Sequence, residues 1–298
     1  MRTQVGLNRI AAQGAAFRIA QEYGFRHPTE IDLEALATDQ GIRLRFGRLS
    51  GCEARLVRVG KRGIVRVRNG DPFQPRCRFA ISHELGHWVL HPDSQSFICT
   101  ADKLRDYRKD PKEFEANTFA SELLMPTGLL RPFLARRELA IDTARAMAEH
   151  FNVSVTASAI RLCIEKKDES YLVLSKNQKV EWASRFCDRS GIWIERGQPL
   201  NEQSNAWHLC QHPEPEAVVE TVDPLCWFPE FDNSDSSLEI SEHSFSLEDS
   251  GYVLTILLIT ETGDVSLPPW RRWEVQPRPR IEKAVPAGNP PDDPTSPF

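Results

Sequence analysis

His83-Glu84-Leu85-Gly86-His87 lies inside a stretch, 76–90, whose apolar residues recur at helical spacing and which His91-Pro92 brings to an end. On a helix, positions i and i+4 share a face one turn apart, so the imidazoles of His83 and His87 can reach one ion. Glu84 sits about 100° round the helix from His83. That is too far to bind the same ion directly, but it suits a water held beside it. Imidazole nitrogen suits Zn2+, which lowers the pKa of its water to roughly 7. Glu84 is then the candidate base, taking the proton of that water and passing it to a leaving amine. With 8 histidines in the chain, chance supplies on the order of 0.02 such patterns with Glu second, so two unrelated histidines on a helix are the weaker account. Gly86 points the same way, because a glycine inside a helix costs ~1 kcal/mol and calls for a reason such as close packing.

A catalytic zinc takes a third protein ligand and keeps a fourth position open. Four residues downstream are candidates: His91, Asp93, Glu113 and Glu115. His91, two turns from His83 on the same helix, converges poorly with the other two. Asp93 would need a chain turn that Leu90 and Pro92 oppose. The segment Asp110-Pro111-Lys112-Glu113 starts a further helix, with a cap, proline at the first position and an acid three residues after the cap. On that helix Glu113 shares a face with Asn117 and Ala120, which would give a ligating Glu113 an amide one turn away to orient a histidine. Glu115 falls on another face. Glu113 is therefore preferred, the alternative being a capping box in which it bonds back to Asp110.

Working outward, 11–23 has helical apolar spacing, and Thr29 can cap a second helix through Leu36. Segments 42–46, 54–59 and 63–68 alternate apolar with basic residues, the signature of half-buried strands with Leu44, Phe46, Leu56, Ile64, Val65 and Val67 inward. Two more helical segments follow near 141–150 and 154–165. After Asp168 the texture changes to short β-prone runs at 171–174, 192–195, 218–222 and 252–260, with tryptophans 182, 193, 207, 227, 270 and 273 as core candidates. His208, Cys210, His212 and Cys226 match no common zinc spacing. Seven of the residues beyond Val275 are proline, so 276–298 is expected to be a disordered tail.

The net charge of −5 hides a split: 27 Lys/Arg against 20 Asp/Glu over 1–168, and 10 against 22 over 169–298. Most of the basic excess falls in 41–78, and the arginines of the alternating strands account for much of it. The longest apolar run, 252–260, is far short of the ~20 residues a membrane helix needs. The N-terminus does not read as a signal peptide. Seven scattered cysteines without a CxxC pair fit reduced thiols, so a cytoplasmic protein without a membrane partner is expected.

Two blocks in order, Arg78-Phe79-Ala80-Ile81-Ser82 leading into His83–His87, and Glu113-Phe114-Glu115-Ala116-Asn117-Thr118-Phe119-Ala120-Ser121-Glu122-Leu123-Leu124-Met125-Pro126, resemble the ImmA/IrrE metallopeptidases over roughly residues 8–165. The resemblance implies a zincin-like (gluzincin) domain over 1–168. The β-prone runs beyond it, which the resemblance does not cover, are read as a smaller β-rich domain over 169–275 before the tail, so an α+β chain is expected. The resemblance implies one Zn2+ per chain on His83, His87 and Glu113, with Glu84 as base. It also implies an endopeptidase that cleaves a regulatory protein, a helix-turn-helix transcriptional repressor, to derepress stress or mobile-element genes. Ser82 stands where Ala is commoner. No oxyanion-stabilising residue carries over by motif, which leaves His91, Tyr107 and His150 as candidates. Segment 144–161 resembles the helices that close the family's domain, with a helix-turn-helix rhythm. The competing function classes are a non-proteolytic anti-repressor and a direct DNA-binding regulator built on a zinc-stabilised domain.

Overall fold

The computed structural model describes residues 2–68, 73–93, 96–97, 110–187, 192–231, 238–247 and 251–261. Tyr107, Cys99, Trp270, Trp273 and the expected tail over 276–298 lie outside them. The chain is α+β, and it divides into two compact units. The first takes Met1–Arg137 and Ala146–Ser158. The second takes Glu138–Arg145 and the described chain from Ala159 onward. No helix among the described residues is long and apolar enough to cross a membrane, and no disulfide joins any of the described cysteines.

The first unit opens with α1 (Arg2–Glu22), whose Ala12, Ala15, Ala16, Ile19 and Ala20 form the buried stripe its spacing foretells. The second helix, α2 (Leu33–Asp39), begins later than expected. Asp32, not Thr29, is its cap, accepting from the backbone N–H of Glu34 and Ala35 at 3.0 Å each. Strands β1 (Ile42–Gly47), β2 (Ala54–Val59) and β3 (Arg62–Arg68) join the short β4 (Ser96–Phe97) in a sheet of order β1-β3-β2-β4. β1 and β3 run parallel, while β2 is antiparallel to β3 and β4. Leu56, Val65 and Val67 are buried as expected, but Ile64 is 50% exposed. Successive strand residues point to opposite faces, so Ile64 and Val65 cannot both face inward.

The inner face of that sheet seats α3 (Pro75–Leu90), the helix of the paired histidines. Arg58 on β2 and Gly63 on β3 are register partners, and both meet Trp88. The Arg58 guanidinium stacks 3.6 Å from the Trp88 ring centroid, and a Cβ on Gly63 would come within 2.7 Å of the same ring. α4 (Pro111–Leu124) packs on α3 and on α1 through Ala116, Phe119, Ala120 and Leu123, all fully buried. α5 (Thr127–Leu134), α6 (Ile141–Phe151) and α7 (Val155–Lys166) follow, and the division between the units passes through α6 and α7.

The second unit is built on an antiparallel sheet of order β6-β5-β9-β8-β7, with β5 (Ser170–Lys176), β6 (Lys179–Arg185), β7 (Val218–Val222), β8 (Leu238–Leu247) and β9 (Tyr252–Glu261). Helix α8 (Asn205–Gln211) contributes Ala206 and Leu209 to a core that contains Tyr171, Trp227, Phe228, Ile240 and Leu257. Trp182 and Trp227 are buried, whereas Trp193 and Trp207 are only half-buried. Segment 192–195 is irregular rather than a strand. Two strands the sequence did not announce, β6 and β8, supply much of the sheet.

Candidate metal centre

The contact between α3 and α4 is close because of Gly86. A Cβ there would lie 3.0 Å from Ala116 Cα, 3.1 Å from its carbonyl oxygen and 3.2 Å from Phe119 Cβ. Two of those atoms are backbone and cannot swing aside. Glycine thus lets the two helix backbones approach at the level of the paired histidines, which offsets its cost in helix propensity.

Across this contact His83, His87 and Glu113 come together, all buried, each offering a ligand atom within 4.8 Å of the others. His87 Nε2 lies 3.0 Å from His83 Nε2, Glu113 Oε2 lies 3.2 Å from His83 Nε2, and Glu113 Oε1 lies 3.6 Å from His87 Nε2. Ligand atoms at tetrahedral angles on an ion with bonds of about 2.0–2.1 Å stand ~3.3 Å apart. The donor set and its spacing therefore fit a zinc-sized cation. His83 Nδ1 lies 2.8 Å from Asn117 Oδ1. The amide oxygen can only accept, so Nδ1 carries the proton and Nε2 directs its lone pair toward the carboxylate. Two acceptors 3.2 Å apart in a buried place require a proton or a metal cation between them.

The titration behaviour has the same cause. Burial alone would lower His83, but the Glu113 carboxylate outweighs it and holds the imidazole above its ordinary value. Burial pushes His87 down to about 4, which leaves it neutral and able to ligate across the physiological range. Glu113 is also buried, yet the two imidazoles hold its carboxyl well below the usual carboxylate range.

The remaining candidates go elsewhere. Asp93 is exposed on the turn after α3. His91 Nε2 is 3.4 Å from the Lys112 carbonyl and 3.6 Å from Glu115 Oε2, so these two residues bridge the end of α3 to the first turn of α4. Asp110 caps α4 through a 3.0 Å bond from the Lys112 N–H. His150 stacks on Phe133 at 4.8 Å and meets His27 edge-on. Glu84 is buried on α3 beside His83. His208, Cys210, His212 and Cys226 form no metal-competent group among the described residues.

The model of the IrrE N-terminal-like domain, peptidase M78, matches residues 37–163. An uncharacterised immunity region protein 2 of Bacillus phage phi105 is 36% identical over 87 residues, which are 29% of this chain and 53% of that protein. The chain thus spans about half the length of that relative. A Mycobacterium tuberculosis transcriptional regulator of known structure aligns over 84% of this chain and 88% of its own, with a TM-score of 0.49 and 14% identity. Residues 37–163, which hold both helices of the candidate metal centre, are thus similar to the IrrE N-terminal-like domain of peptidase M78.

Proposed function

We propose that this chain is a zinc-dependent endopeptidase of the cytoplasm that cuts a regulatory protein, a helix-turn-helix repressor, and so releases stress or mobile-element genes. The observation that carries the reading is the convergence of His83, His87 and Glu113 on one point, with Glu84 next to His83 on the same helix. The immunity-region name of the phage relative supports the regulatory setting. In this reading 1–168 is a gluzincin-like catalytic domain, and 169–275 selects the substrate or regulates its cleavage.

His83, His87 and Glu113 would hold the zinc, which supplies a water of lowered pKa and polarises the scissile carbonyl. Asn117 keeps His83 in the tautomer that presents Nε2. Glu84 orients the attacking water, takes its proton and delivers it to the departing amine. The buried wall of α3 and α4 around these groups excludes competing water and strengthens their electrostatics.

Purified chain should carry about one zinc, lost in His83→Ala. Glu84→Gln should keep the metal but slow cleavage of a helix-turn-helix repressor encoded beside its gene by at least ~100-fold, and a chelator should stop the wild-type reaction. Cleavage by Glu84→Gln at the wild-type rate overturns the mechanism. Release of repressor that remains intact on a gel would make the chain an anti-repressor.

A further inference from the structure

The outer face of the first unit's sheet has no place in the metal chemistry, and it carries an unusual charge pattern. Strands β1, β3 and β2 present ten side-chain positions on that face: Arg43, Arg45 and Gly47; Arg62, Ile64, Arg66 and Arg68; Arg55, Val57 and Val59. None is an acid and none is a lysine. Arg45 stands opposite Arg66, and Arg66 opposite Arg55, so three arginines form one row across adjacent strands about 4.8 Å apart. Like charges directly opposite one another destabilise a sheet. Glu53, just before β2, is held by Arg68 and Arg76 at 2.7 Å each. Among the described residues no carboxylate pairs with Arg43, Arg45, Arg55, Arg62 or Arg66.

We propose that this face binds the phosphate backbone of duplex nucleic acid. The face has one sign throughout, which suits a partner that is uniformly anionic. Guanidinium groups bind phosphate oxygens through a planar fork that an ammonium lacks. Val57, Val59 and Ile64 are exposed beside the arginines, so the apolar positions of this face are not covered by another element. The opposite face is committed to Trp88 and α3, so the sheet is braced from behind. Contacts of this kind position a protein on a duplex without reading its sequence. The proposal does not depend on the peptidase reading.

The test is fluorescence anisotropy of a labelled random-sequence duplex with the full chain, over a range of about 50 to 200 mM salt. Each phosphate neutralised contributes about 0.9 to the log–log salt slope, so the wild-type slope should lie between about −3 and −5. The triple variant Arg45→Gln, Arg55→Gln, Arg66→Gln should lose ~2–3 of that slope and at least ~10-fold in affinity. Its unfolding midpoint should not fall, because the like-charge row is gone. The double variant Arg43→Gln, Arg62→Gln spares the row and should lose ~2 of slope, a second route should the triple variant fold poorly. Absence of binding by the wild type, or slopes unchanged in both variants, overturns the proposal. Binding of polyglutamate as tight as that of the duplex overturns it too, and assigns the face to an acidic protein instead.

Discussion

Among the buried glutamates, Glu113 in the first unit and Glu242 in the second are handled in opposite ways. Glu242 on β8 accepts hydrogen bonds from the Ala206 N–H at 2.8 Å, the Trp227 Nε1–H at 2.9 Å and the Ser244 hydroxyl at 2.8 Å. All of these donors are neutral, and burial pushes the Glu242 carboxyl above its ordinary value. Glu113 on α4 instead faces two imidazole nitrogens at 3.2 and 3.6 Å, which hold its carboxyl low in spite of burial. A buried acid ringed by fixed neutral donors ties elements together, here the first turn of α8 and Trp227 to the central strands. A buried acid set against basic lone pairs needs a proton or a metal cation between them. Burial alone does not mark a functional carboxylate; the chemistry of the groups facing it does.

The largest expected effect breaks the comparison on metal. Glu113→Gln should weaken zinc binding by more than ~100-fold, beyond the 10–100-fold typical of losing a group that only supports a ligand. Glu242→Gln should leave zinc content at the wild-type level, as measured by atomic emission on dialysed protein. Equal loss of zinc in both variants would mean that the two acids do not differ as described.

A smaller effect sharpens it on stability. Glu242→Gln replaces one acceptor oxygen with an amide group that must face Trp227 Nε1–H or the Ala206 and Ser244 donors. One buried donor loses its partner, and the cost should be about 1–3 kcal/mol. Urea unfolding followed by tryptophan fluorescence reads this as a lower midpoint at unchanged slope. A midpoint equal to wild type would remove Glu242 from its bracing role.

The same contrast explains what could be read from the residues in order. Helical period brought His83, His87, Glu113 and Asn117 into reach, because each pair is separated by one turn on its helix. The glycine between the histidines pointed to a close approach, and Ala116 and Phe119 are what approaches. In the second unit the period-2 signal was masked on β8, where Glu242, Ser244 and Ser246 occupy buried positions beside Ile240. A polar core face does not look like a core face in sequence. Register was equally illegible: the alternation of 42–68 foretold strands, but only the pairing aligns Arg45, Arg66 and Arg55 in a row.

The smallest effect is a pair of pH profiles with different shapes. The folded value of Glu242 lies above the ordinary 4.5, so its contribution to stability is fully present below 4.5 and is lost as pH rises through the raised value. In metal-free protein Glu113 lies below 4.5 when folded. Its contribution is present above 4.5 and is lost as pH falls through the lowered value. Glu113 also holds His83 above 6.5 against the lowering effect of burial, so the part of its contribution that depends on a protonated His83 disappears as pH rises through that raised value. Subtracting each Gln variant's unfolding free energy from that of wild type, pH by pH, should therefore give a curve that only declines for Glu242. For Glu113 the curve should rise from acid pH and decline again above 6.5. A monotonic Glu113 curve would mean that His83 and the carboxylate are not paired in the metal-free protein. Without that pairing, the acceptor-to-acceptor contact that calls for a cation would lose its basis.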